Sequence, residues 1–463
     1  FALGDSSVTN VEGIGSLALG LSSSTAAPYS VAAGFFAQTL AGGDHSLSVG
    51  SQTQTGAANS VAFGESSTTS NAATHSVALG FTSSTSAAYS LAGGKFASTG
   101  DSGVYSLSFG LNTTTNAPGS LALGDSTITD NTAPGSAAIG YATEASGPQS
   151  LAFGYTTVAA GDQSFALGQS TSTSSKATQS VAMGFGSNTD APYSLAVGKD
   201  ASVANGGDYS ASIGTGTETA GAGSLAVGTT SKTSGLNSVA MGWSSVANGD
   251  QSFALGTGTL AAGVQSFSLG LNTVANGDNS LTMGELSGTS GAASHSFAMG
   301  FQSTTDAPYS FAVGNTAKVV AGGDYSASIG TNTQTAGAGS LALGDTAVTT
   351  LGADNAVSMG QGTTASGLQS FALGQGTQAL ADQSFALGVT TTTQGPSSLA
   401  FGTNSATGQT GVNAVAMGDT ALASGADSFS LGLSPTASGD QSFAMGANAQ
   451  AQGTQSFAMG SGT

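Results

Sequence analysis

The residues of this 463-residue sequence that could do chemistry are three histidines, a set of aspartates beside glycine, and many serines. His45, His75 and His295 each stand directly before a serine. A His–Ser neighbour serves nucleophilic catalysis only where a carboxylate orients the imidazole and an oxyanion site faces the hydroxyl. No such grouping recurs here. In comparable stretches the same position holds Tyr29, Tyr193, Gln251 or Asn237, so histidine is one choice in a series. Asp162, Asp208, Asp250, Asp278, Asp324 and Asp440 each follow a glycine. Gly-Asp is ordinary turn chemistry. The alternative is weak Ca²⁺ binding by aspartates of adjacent repeats, but the nonapeptide pattern of calcium-binding rolls is absent. The five lysines, Lys95, Lys176, Lys199, Lys232 and Lys318, are scattered, and there is no arginine and no phosphate-binding loop. With no cysteine there is neither a disulfide framework nor a thiolate metal site. The sequence therefore assigns no catalytic, cofactor-binding or metal-ligating residue, and the expected function is non-enzymatic.

The elements that would carry these residues follow from a repeat. The phrase QSFALG at 163–168 returns as QSVAMG at 179–184. Its closing glycine occurs thirty-two times from Gly4 to Gly460, always at an interval of 14 or 16 residues. Four residues before it stands Ser in 29 of 31 complete copies, Ala356 and Ala414 being the exceptions. Three before and one before are mostly large and apolar; two before is always Ala, Ser or Thr. That alternation is the period of a β-strand. Examples are Ser60, Val61, Phe63 and Gly64; Ser238, Val239, Met241 and Gly242; and Ser252, Phe253, Leu255 and Gly256. We take these as the structural repeat residues.

A second short alternation follows each glycine, as at Thr53 and Thr55 or Thr113 and Thr115. Seven residues before the next closing glycine stands Gly or Ala, such as Gly161, Gly249 or Ala307. That position must be small or must turn with positive φ. One repeat is thus two strands and two turns, one coil of a parallel β-solenoid. Residues 1–463 are expected to form one continuous array, on the order of 150 Å long at the spacing of paired strands. The two extra residues of a longer coil, Asn205 and Gly206 for example, fall between the strands and preserve parity. They predict a longer loop on one edge.

Neither face of the first strand carries charge, so both are expected to be buried. We place the large residues inside the coil, against the small Thr/Ser/Ala column, because large on small fills a thin layer. The Ser/Ala face then packs on other subunits. The alternation also permits the reverse. Under either assignment two buried faces require an oligomer.

The phrases SVAFG at 60–64, SVALG at 76–80, SLAVG at 194–198 and SVAMG at 238–242 resemble the head repeat of trimeric autotransporter adhesins, the YadA-like heads. That family repeats Ser-Val-Ala-Ile-Gly, typically every 14 residues. The asparagine before Ser238 matches too, although Tyr, Gln, Gly or His often replaces it elsewhere, and many coils here are longer. The resemblance implies an all-β, left-handed parallel β-roll that trimerises with two further copies of itself. It also implies an extracellular head at the bacterial surface, anchored to the outer membrane by segments outside this sequence, that binds a host-cell or extracellular-matrix receptor. Similar repeats occur in bacteriophage tail fibres, so a phage receptor-binding fibre is the alternative.

Composition agrees with both readings. A net charge of −19 disfavours nucleic acid and anionic membrane. No apolar run reaches the length of a membrane-spanning helix. The chain opens on FALG, in mid-phrase, and is expected to be part of a longer polypeptide. Threonine runs such as 390–393 raise a remote third reading, an ice-binding surface. Their parity, shared with Ala145, Val203 and Ala261, makes them an inward column instead. The outward positions between them (Gln54, Thr68, Glu144, Val158, Lys232) are irregular.

Overall fold

The structure is a computed structural model that describes residues 1–463. Its chain falls into two compact units, Phe1–Thr233 and Ser234–Thr463. Each is a parallel β-solenoid without helix. One coil consists of a long strand, a turn, a two-residue strand and a second turn, as in Val61–Glu65 followed by Thr68–Thr69. The long strand pairs in parallel with its equivalents one coil before and after: Leu47 with Val61, and Val61 with Val77. The short strand does the same, Thr68 lying opposite Gln54 and Ser84. In the second unit Val239, Phe253 and Phe267 form the equivalent column. Coils of 14 and 16 residues stack without loss of register. The extra residues Asn205 and Gly206 are exposed in the turn between Ser202–Val203 and Ala211–Thr215, on the edge where parity requires them.

The expected orientation of the long strand is reversed. Ala62, Ala152 and Ala254 are fully buried, while Phe63 is 53% exposed, Phe253 41% and Met241 41%. The large residues point out of the coil, and the Ser/Ala face points in. The cause is thickness. With only short turns between them, the two strands of a coil lie too close for a large side chain. The largest fully buried side chains are valine and threonine. Val203 and Val319 fit because they face Gly207 and Gly323, where an added Cβ would come 2.7 Å from the valine Cγ1.

The thin interior is held by hydroxyl groups. Ser120 Oγ donates to the Ala117 carbonyl at 2.6 Å and pairs with Thr129 Oγ1 at 2.9 Å, joining the turn, the long strand and the short strand of one coil. The same pair recurs at Ser280–Thr289 and Ser340–Thr349. Where the inward residue of the long strand is serine it makes a second link, as from Ser108 to Thr113 or Ser358 to Thr363, both 2.8 Å. Where that residue is alanine, as at Ala152 and Ala254, the corresponding Thr157 and Thr259 hydroxyls have no protein partner. A buried hydroxyl left unpaired costs about 1–3 kcal/mol.

Glycine is required at two places for different reasons. The closing glycine has φ near +130°, as at Gly242, and a Cβ there would overlap the Gly256 carbonyl oxygen of the next coil. At Gly249 the φ is not positive; a Cβ would overlap the Gly263 carbonyl, so smallness alone is the requirement. The left-handed residues lie elsewhere: just before the repeat serine (Asn59, φ 56°) and two after the closing glycine (Ser66, φ 58°). Asparagine tolerates that region better than most side chains.

These contacts make Ala254→Asp and Gly242→Val severe. The first forces a carboxylate among fully buried alanines, and the second combines a clash with a strained φ. Both variants are expected to lose protease resistance at their own level of the solenoid. Intact resistance in either would contradict the packing.

Candidate functional site

The residues singled out for chemistry do not converge. No group of three or more His, Asp or Glu side chains could hold a metal ion. Instead each occupies a rung of a ladder. The left-handed residue before the repeat serine projects from the turn, one per coil, and equivalent side chains stack. His45 lies on Tyr29 with ring centroids 5.1 Å apart, His75 on Tyr89 at 4.9 Å, and His295 on Tyr309 at 4.9 Å, all nearly parallel. His75 also meets Asn59, Nε2 to Nδ2 at 3.3 Å. Glutamines in the same register form amide ladders: Gln163 donates to Gln149 at 3.1 Å, Gln179 to Gln163 at 2.8 Å, and Gln265 to Gln251 at 2.9 Å. Histidine therefore serves as a stacking rung, as its interchange with Tyr and Gln suggested.

Three of the six Gly-Asp aspartates brace turns through their carboxylates, while Asp162, Asp208 and Asp324 accept only through their backbone carbonyls. Asp250 Oδ1 accepts the Leu236 amide of the preceding coil at 2.9 Å, Asp278 that of Val264 at 2.8 Å, and Asp440 that of Ala426 at 2.9 Å. Each supplies an acceptor to a turn amide one coil away. Asp382, absent from the sequence reading because it follows alanine, does the same for Leu368 at 2.8 Å. The threonine columns are interior: Thr53, Thr55, Thr113 and Thr115 are fully buried. Among the outward residues of the short strands, Lys232 and Glu218 pair across adjacent coils at 2.9 Å. The Lys95 ammonium lies 5.6 and 5.4 Å from the rings of Phe81 and Phe96.

The structural repeat residues divide between inside and outside. Ser60, Ser238 and Ser252 are buried in the coil, and Gly64, Gly242 and Gly256 carry the close backbone approach. Val61 and Phe63 in the first unit, and Val239, Met241, Phe253 and Leu255 in the second, lie on the outer face of their long strands. In each unit that face is a continuous column of aliphatic and aromatic side chains. Phe297 stacks on Phe311 at 4.9 Å, and Phe429, Phe443 and Phe457 stack in series at 5.1 and 4.9 Å. An exposed apolar surface repeated on coil after coil exceeds what isolated soluble chains ordinarily leave in water. It is the candidate functional surface.

A family model described as the YadA head domain repeat, in two copies, matches most of the chain. The matched residues are 12–37, 41–67, 72–97, 102–127, 132–155, 145–171, 175–201, 234–259, 261–281, 293–317, 321–347, 352–377, 379–405, 410–434 and 437–463. A comparison with curated proteins finds no match.

Replacing His295 by glutamine should leave the solenoid intact, because Gln251 and Gln265 already fill that register with the same φ. Loss of the ring stack on Tyr309 changes stability by about 1 kcal/mol at most. Thermal unfolding followed by circular dichroism checks this. A collapse of the transition would show that the histidine does more than stack.

Proposed function

From the premise that the chain belongs to the YadA head-repeat family, we propose that it is the head of a trimeric adhesive fibre, non-enzymatic and displayed outside the cell. The family is of a surface-exposed, structural adhesin kind. The observation that carries the proposal is the apolar outer face of the long strands. Two further copies of the chain cover it, with the large residues of three long strands meeting and the polar turns and short strands left in water. A homomeric assembly explains why the two large outward positions of each long strand carry no charge, since each copy offers the same surface to its neighbours. Burial of a half-exposed phenylalanine contributes roughly 1–2 kcal/mol, and the gain repeats along the array.

The adhesive surface is then what remains exposed: turn ladders and short strands, polar, acidic and repeated. Such a surface gains strength from many weak contacts made together rather than from one tight site. Its partner is a host-cell or extracellular-matrix surface, and the head stands on an anchor at the bacterial outer membrane.

Equilibrium sedimentation of the purified chain should give a trimer. Phe253→Asp combined with Phe385→Asp should shift it towards monomer, because each places charge on the outer face. Circular dichroism should stay that of β-structure, since neither side chain lies inside a coil. A wild-type chain that remains a soluble monomer at all concentrations would falsify the trimer. Retention of the trimer by the double variant would place the interface elsewhere.

A further inference from the structure

Every tyrosine pair in the turn ladder ends in the same way. Tyr89–Tyr105, Tyr193–Tyr209 and Tyr309–Tyr325 stack with centroids 5.0, 4.8 and 4.9 Å apart. In all three the next coil carries glycine in that register: Gly119, Gly223 and Gly339. The glycine amides donate to the carbonyls of Val104, Asp208 and Asp324 at 2.8, 2.8 and 2.7 Å. Their φ values, 65°, 68° and 64°, are those of the ladder. The backbone of the rung is therefore present and its side chain is not. Exposure registers the effect: the first tyrosines are 50, 48 and 50% exposed, the second 69, 70 and 69%. The far face of each second ring is open. A Cβ added at Gly119 would meet nothing within 4 Å.

At Tyr325 the opposite wall is also defined. The rung after Gly339 is Asn355, whose amide oxygen would lie 2.8 Å from a Cβ on that glycine. Asp354 beside it accepts the Ala338 amide at 2.9 Å. Two coil spacings, about 9.6 Å, separate the Tyr325 and Asn355 rungs. The Asn355 amide oxygen leans into the inner edge of this interval, so a ring stacked on Tyr325 meets a hydrogen-bonding group there.

We propose that these open rungs bind carbohydrate, each taking one uncharged pyranose ring of a cell-surface or matrix glycan. The C–H face of the sugar lies on the tyrosine, as ring faces stack on aromatic platforms elsewhere. Its hydroxyl groups need both donors and acceptors, which Asn355 and Asp354 supply at the third site. A flat aromatic ring would use the tyrosine face but none of these polar groups. The acidic chain, with Asp208 and Asp324 next to two of the tyrosines, disfavours sialylated or sulfated sugars. The inference rests on the adhesive reading and names the class of ligand for it.

The test applies the full chain to an array of neutral, sialylated and sulfated glycans, with sedimentation and cell adhesion measured on the same preparation. Neutral glycans should bind and their acid-capped forms should not. The triple variant Gly119→Tyr, Gly223→Tyr, Gly339→Tyr fills the rungs with the ladder's own residue, whose φ Tyr105 adopts; at Gly339 the flexible Asn355 amide must swing aside. It should lower glycan binding by about tenfold or more, the scale of one lost stacking contact. Replacing Tyr105, Tyr209 and Tyr325 by serine, a residue the register holds at Ser397, should do the same. The proposal is overturned if no neutral glycan binds, or if either triple variant keeps its affinity. Failure on the array with trimer and adhesion intact removes only the glycan sites; loss of wild-type adhesion as well removes the adhesive reading.

Discussion

The approach of one closing glycine to the next is the constraint on which this structure depends. Within each unit, the carbonyl oxygen of one glycine occupies the space where a side chain on the glycine one coil earlier would begin, as with Gly256 over Gly242. Backbones stacked this closely pair strand on strand along the solenoid. They also fix the chain reversal at the end of every long strand at a φ that only glycine holds without strain. The short turns this permits set the two strands of a coil close together. Nearly everything inside must then be alanine, serine or threonine, with valine admitted at Val203 and Val319, and the large side chains must face outward.

A coil built this way inverts the usual division of labour. Its interior contributes little hydrophobic free energy, because an alanine side chain has little area to bury. Cohesion within a coil comes from paired hydroxyls such as Ser120 with Thr129, and between coils from the strand ladders. The large apolar side chains contribute fully only when something covers the outer face. In the proposed trimer, which buries this face, folding and assembly would be coupled, and the stability of each chain would depend on the concentration of the others. The two large outward positions of the long strand carry no charge; charge stands at the strand's last residue, as at Glu65, Lys95 and Asp125, and on short strands, at Glu218 and Lys232.

Much of this was legible in the sequence. The 14- or 16-residue spacing of the closing glycines gave the coil, and parity placed the extra residues of the longer coils, Asn205 and Gly206, in one turn. Parity also put Thr53 and Thr55 inside. The direction of the long strand was not legible, because alternation separates two faces without saying which is inward. The preference for large on small assumed an interior of ordinary thickness, and the real one admits nothing beyond valine. A signal did exist. Inward serines at positions 48, 108, 212, 268, 328 and 358 each have threonine five residues later, and all six pairs share a hydrogen bond. Ser430 departs from it, with Pro435 in that place, and threonine also follows inward alanines such as Ala152 and Ala254, so the pattern is a preference that favours the Ser/Ala face as the interior one. The stacking of His75 on Tyr89 could be inferred from shared register, but the open rung beyond Tyr105 could not. It depends on which way each ring leans and on what the following glycine leaves uncovered.

The turn ladder is where the sequence is free to vary without disturbing the coil. Its residues share one backbone conformation, φ between 52° and 60° across Tyr29, His45, Asn59, Gln163 and Tyr105. The amide of the rung donates to the carbonyl just before the rung of the preceding coil whatever the side chain, as the Gly223 amide does to Asp208 and the Gln265 amide to Asp250. Interactions in such an array reach only to the next coil, so a change of rung is felt locally. A fibre of this construction can hold its core fixed by glycine, alanine and hydroxyl pairs while its edge carries tyrosine stacks, amide ladders or gaps. Recognition can therefore be rewritten one rung at a time, and the steps from Tyr105 to Gly119 and from Tyr325 to Gly339 are places where such rewriting has left a ring face open to a ligand.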